Sequence, residues 1–207
     1  LFILALLVVA LCLVFFLRVK KEMADFEVNY RAAQRLRLGE TLYRASDGHY
    51  QFKYMPFSAF LYLPLSLLPL SVAKGIWYGV VALSSGFIFV LASKLVGLDK
   101  KKSPAVVFVS CLILARYFFR ELQLGQINAL ITLLLLIMIS LVLRGKNSSC
   151  RQASSGLFLG LATALKPYAA IFFPYFIIKK KGLALASGVA VLVLALLAPS
   201  IFYGLEG

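Results

Sequence analysis

The chain has 207 residues, is 62% hydrophobic and only 14% charged, and carries a formal net charge of +14. A soluble domain of this size cannot hide so much apolar surface, so the composition excludes a water-soluble globule and points to an integral membrane protein with several spans. The basic residues come in short clusters between apolar runs, which suits cytoplasmic loops and contact with anionic lipid rather than nucleic acid.

The first apolar run, 1–17, leads into Arg18, Lys20 and Lys21. No A-x-A-like cleavage site follows Arg18, so the segment is expected to be a retained span. The next segment, 18–56, holds five of the eight acids, the single His and eight of the 22 basic residues. Within it, Phe26, Tyr30 and Ala33 recur at helical spacing with Arg31 and Arg35 on another face, which predicts an amphipathic helix over 25–38 lying on the membrane. Asp25 stands at its start, either as a helix cap or as a carboxylate available for chemistry. Glu22 and Glu27 are expected to be solvated charges, and His49 an ordinary loop residue.

The run from Pro56 to Leu70 contains Pro56, Pro64 and Pro69 and is placed in the outer interface. Residues 75–97 are long enough to span, with Trp77 and Tyr78 as interfacial anchors. Further apolar runs follow at 104–119, 128–143, 154–165, 168–178 and 182–199, several shorter than the roughly 20 residues that a perpendicular helix needs. The clusters Lys100–Lys102, then Arg144, Lys146 and Arg151, then Lys179–Lys181 are assigned to the cytoplasm. That assignment puts the turn 120–128 outside. It also requires a break at Lys166-Pro167, because one continuous span over 154–178 would bury Lys166 in hydrocarbon. The count becomes seven spans, with residues 18–74 as one outer segment. Arg18, Lys20 and Lys21 then lie on the outer side, against the sign rule, where a basic exit could hold a lipid phosphate.

Asp25, Arg116, Arg120, Gln126, Asn128 and Lys166 come from separate turns, yet this topology gathers them on one face. Taken singly, Gly125 and Asn128 could be a helix start, Lys166 a snorkelling cation at a helix break, and Arg116 and Arg120 partners of Glu121 or of a lipid phosphate. Together, an acid, several cations and two amides suit a lipid-phosphate substrate. Cys12, Cys111 and Cys150 are far apart, and neither a metal site nor a disulfide framework is supported. There is no Walker, Rossmann or GxSxG pattern and no internal repeat.

Four stretches, "DFEVNYRAAQRLRLGETLY", "FKYMPFSAFLYLPLSLLP", "LGQIN" and "GLFLGLATALKPY", resemble glycosyltransferase family 87 (DUF2029) in order and spacing over about residues 24–180. Met55 departs from the pattern, which more often has a second Pro there. The resemblance implies an all-α polytopic membrane protein of the GT-C fold class, a seven-helix module with amphipathic interfacial helices in its first outer loop. It implies that residues 1–207 form one such module, the N-terminal part of a longer enzyme or a short member. The implied activity is transfer of a sugar, mannose by preference, from a polyprenyl-phosphate-linked donor to a hydroxyl of a glycan or glycolipid acceptor. Asp25 matches the catalytic acid by position and would be the general base. Lys166, Arg116 and Arg120 are candidates to neutralise the phosphate, and Tyr54, Gln126 and Asn128 to position substrate. No cofactor is expected and no metal-ligand cluster is evident, with dependence on a divalent metal left open; no nucleic acid is a partner, membrane lipids are, and the site faces the outer, periplasmic side of the cell membrane. The rival class is a transporter or lipid-binding protein using the same charged cavity, or a scaffold that keeps the fold without catalysis.

Overall fold

Helix is the economical backbone state for an apolar chain, because each N–H and C=O is satisfied within its own segment. The computed structural model describes residues 2–97, 103–143 and 148–204, and among these every regular element is helical. Helix α1 (Phe2–Leu17) exits through a 3-10 turn into α2 (Ala24–Leu38). Phe26, Tyr30, Ala33 and Leu36 of α2 are buried, on the spacing that the sequence displays. Gly39, at φ +66°, ends the helix in the left-handed region, its N–H bonding back to the Arg35 and Leu36 carbonyls.

A 3-10 turn over Ala45–Tyr50 leads to α3 (Pro56–Ser66), which packs along α2 and buries Ala59 and Tyr62. Pro56 opens α3, where its missing N–H costs nothing. Then come α4 (Leu70–Val96), α5 (Ser103–Leu124), α6 (Asn128–Leu143) and α7 (Ser149–Leu165). A 3-10 turn over Pro167–Phe172 leads to α8 (Phe173–Ile178), α9 (Gly182–Leu197) and the short α10 (Ser200–Tyr203).

Side-chain contacts give the helix directions. Helix α1 runs antiparallel to α4: the Lys74 ammonium bonds the Lys20 carbonyl at 2.9 Å, and the Tyr78 hydroxyl bonds the Leu11 carbonyl at 3.1 Å. Helices α7 and α9 run parallel, since Gly156 faces the Ala184 carbonyl and Gly160, one turn on, faces that of Gly188. A Cβ at Gly156 would lie 2.0 Å from the Ala184 oxygen, so only glycine permits this approach. The Gly156-x-x-x-Gly160 pattern is thus a helix-packing seam, a signal absent from the sequence-based expectations. A parallel α7 and α9 require residues 167–178 to run back along the bundle. Lys166 and Lys179–Lys181 therefore sit at opposite ends, as the break at Lys166-Pro167 predicts, and Lys166 itself is extended at φ −152°.

Among the described residues, two helices are long and apolar enough to cross a membrane, Leu70–Val96 and Gly182–Tyr203. A third candidate arises if α5 and α6, bent by 120° across residues 125–127, are one span. The chain is therefore an all-α protein with at least two candidate spans. The charge clusters Lys100–Lys102, and Arg144 with Lys146, lie outside the described residues. Trp77 and Tyr78 are not interfacial anchors: both are buried, against Phe26 and Phe15 respectively, because they face the bundle rather than its surround.

Candidate functional site

The site starts at a glycine. Gly125 holds φ +67°, and a Cβ there would come within 2.7 Å of the Phe26 Cβ and 2.9 Å of the Met23 Cε. Its absence lets the α5–α6 turn press against the first turn of α2, and the Trp77 indole N–H donates to the Gly125 carbonyl at 2.8 Å. That seating aims the next residue at Asp25: the Gln126 Nε2 donates to Asp25 Oδ2 at 2.7 Å. Asn29, buried, donates to the Asp25 backbone carbonyl at 2.8 Å.

From Gln126 the contacts continue without a gap. The Asn128 Nδ2 donates to Gln126 Oε1 and to Glu121 Oε1, each at 2.8 Å, using both of its N–H groups. The Lys166 ammonium donates to Asn128 Oδ1 at 2.7 Å and lies 5.4 Å and 5.8 Å from the ring centres of Tyr54 and Tyr168. Burial raises the Tyr54 phenol above its ordinary pKa, the Asp25 charge adds to this, and a hydrogen bond with Asn29 opposes it. The phenol therefore stays protonated at neutral pH, able to donate.

The structure thus brings together Asp25, Gln126, Asn128, Lys166 and Tyr54, half-buried where α2, the α5–α6 turn and the α7 exit meet. Arg116 and Arg120 are not part of this network. They lie one turn apart on the exposed side of α5, in a groove with Tyr117, Phe119 and Gln123. The capping reading of Asp25 does not hold, because Met23 is the N-cap residue of α2 and no side-chain cap bond is made.

Three polar residues escaped the sequence-based candidates. Glu121 anchors Asn128, and its Oε2 is buried with no hydrogen-bond partner among the described residues. Tyr168 shares Lys166 with Tyr54. Lys74, on α4, is buried and pairs with Glu27 at 2.6 Å, so Glu27 is a structural ion-pair partner rather than a solvated charge. A lysine in the first turns of an otherwise apolar helix was the available signal for it. Glu22 accepts from Gln123 and lies 3.9 Å from Arg18. Among the described residues no three His, Cys, Asp or Glu side chains converge.

The sequence model of glycosyltransferase family 87 matches residues 52–206. The chain is also similar to a polyprenol-phosphate-mannose-dependent alpha-(1-2)-phosphatidylinositol pentamannoside mannosyltransferase of Mycolicibacterium smegmatis, with 30% identity over 141 residues, 68% of this chain. Those residues cover 32% of that relative, so the chain spans about a third of its length. No solved structure matches the chain.

Proposed function

Because this chain belongs to glycosyltransferase family 87, we propose that it is a membrane glycosyltransferase, or the segment of one, that uses a polyprenyl-phosphate-linked sugar. The sugar is mannose and the acceptor a hydroxyl of a glycolipid or glycan, by likeness to the relative's named donor and acceptor. The observation that carries the reading is the unbroken chain of hydrogen bonds from the Asp25 carboxylate through Gln126 and Asn128 to the Lys166 ammonium. It sets a base and a cation at two ends of one polar surface, the arrangement that displacement at a sugar phosphate needs.

In the proposed reaction the acceptor oxygen attacks the anomeric carbon as the bond to the phosphate oxygen breaks, and the configuration inverts. Asp25 takes the acceptor proton and the polyprenyl phosphate leaves with the electron pair. The Gln126 amide engages one carboxylate oxygen and orients the other toward the acceptor. Lys166 stabilises the charge that grows on the leaving phosphate, and the protonated Tyr54 donates beside it. Arg116 and Arg120 offer a second cationic surface, at the C-terminal part of α5, for a phosphate arriving along the membrane.

The alternation of helix directions supports a multi-pass placement with this end of the bundle on the outer side. The C-terminal ends of α1, α5, α7 and α9 and the N-terminal ends of α4 and α6 all meet α2, α3 or the α5–α6 turn there, or lie level with parts that do. The test is transfer of radiolabelled mannose from polyprenyl-phosphate-mannose in membranes. Asp25→Asn is expected to lower the rate about 10²- to 10⁴-fold, the usual contribution of a general base. Equal transfer by both proteins removes Asp25 from this role.

A further inference from the structure

On the side of α2 away from its buried face lies a cleft of about 520 Å³, a volume in the range of small-ligand sites. One wall is α2 itself, through Glu27, Val28 and Arg31. The other is the segment 46–52, pinned across the gap by Arg35, whose guanidinium donates to both Asp47 oxygens at 2.5 and 2.8 Å. Phe52, buried, belongs to the apolar packing beneath it, and Tyr50, 61% exposed, stands at the rim.

The chemistry of this lining favours a neutral polyhydroxyl ligand over an ion. Its charges are largely matched internally: Arg35 with Asp47, Glu27 with Lys74 and more loosely with Arg31, Glu22 with Arg18. A cleft of alternating carboxylates and cations presents acceptors and donors side by side, as hydroxyls require. The Lys21 ammonium and the Ser46 hydroxyl have no side-chain partner among the described residues and add two donors. The exposed Tyr50 ring is an amphipathic platform for the C–H face of a sugar. The cleft also has an address. Val28 lines it, and Asp25 lies about 60° round the helix from Val28, at 3.6 residues per turn.

We propose that the cleft between α2 and residues 46–52 binds the neutral sugar portion of the acceptor. This role in acceptor binding rests on the glycosyltransferase reading, but the binding itself does not. The test is saturation-transfer NMR and calorimetry on the whole chain in nanodiscs, titrated with mannotriose, with maltotriose and, separately, with inorganic phosphate. The chain is expected to bind at least one trisaccharide and to bind phosphate no more strongly in competition. Tyr50→Ala and Arg31→Ala, both at exposed side chains, are expected to weaken trisaccharide binding at least tenfold. Failure of both trisaccharides to bind, wild-type affinity in both variants, or displacement of the sugar by phosphate overturns the proposal. Unchanged transfer by Asp25→Asn would remove the catalytic reading alone and leave the cleft's ligand standing.

Discussion

The Trp77 indole N–H and the Gly125 carbonyl, 48 residues apart in sequence, are joined by a buried 2.8 Å hydrogen bond. Through it α4 holds the turn from which Gln126 reaches Asp25. Trp77→Phe keeps much of the ring packing but leaves a buried carbonyl unpaired, a loss of roughly 1–3 kcal/mol. The expected outcome is a lower melting temperature together with a fall in sugar transfer larger than any fall in expression. Unchanged transfer at a lowered melting temperature would show that the turn does not depend on this bond.

Lys74 and Glu27 form an ion pair whose lysine side chain is 6% exposed and whose glutamate is 30% exposed. Lys74→Met is expected to destabilise the chain by roughly 1–3 kcal/mol. That is less than the 3–5 typical of breaking a fully buried pair, because Glu27 keeps some solvent. Adding Glu27→Leu should recover part of this loss, since the only charge then left without its partner, on Arg31, is exposed to solvent. A double-mutant cycle by thermal unfolding measures the coupling, and strictly additive effects would mean that the two residues do not depend on each other.

The Arg35–Asp47 clamp holds the far wall of the sugar cleft. The hydrogen bonds from Arg35, and then its charge, keep the Asp47 carboxyl below its ordinary pKa. The clamp's stabilisation is therefore fully present above the unfolded carboxyl value of about 3.9 and is lost as pH falls through the lower folded value. Hydrogen exchange over residues 45–50 should stay slow from neutral pH down to about pH 4 and speed up below it, after correction for intrinsic exchange. Asp47→Asn should exchange faster at neutral pH and lack that acid step.

Gly156→Leu places a side chain 2.0 Å from the Ala184 oxygen, a backbone atom that cannot rotate away. The close approach of α7 and α9 must open, at a cost of about 1–3 kcal/mol or more. In a background with Cys12, Cys111 and Cys150 replaced by Ser, a pair made by Ala153→Cys and Ser187→Cys is expected to crosslink. The same pair with Gly156→Leu is not. Crosslinking in both would place the seam elsewhere.

Much of this architecture is legible in the chain's own order of residues. The spacing of Phe26, Tyr30 and Ala33 identifies the buried face of α2, Gly125 marks a left-handed turn, and Lys166-Pro167 marks the end of α7. Each is a local property, set by helical period, by the freedom of a residue without a Cβ, or by a missing N–H. The convergence of Asp25, Gln126, Asn128 and Lys166 also follows from charge and parity, because burying Lys166 in hydrocarbon would be costly.

What the sequence by itself determined is therefore membership of family 87, an apolar helical chain, and the end of the bundle at which its polar groups gather. The tertiary structure decided which of those groups touch. It separated Arg116 and Arg120 from the network, tied Glu121 into it, gave Glu27 to Lys74, and turned Trp77 inward to Gly125. The physical reason is range: periodicity states which face of a helix is apolar or charged. The partner at that face is set by how neighbouring helices cross, as where two glycines let α7 and α9 meet backbone to backbone.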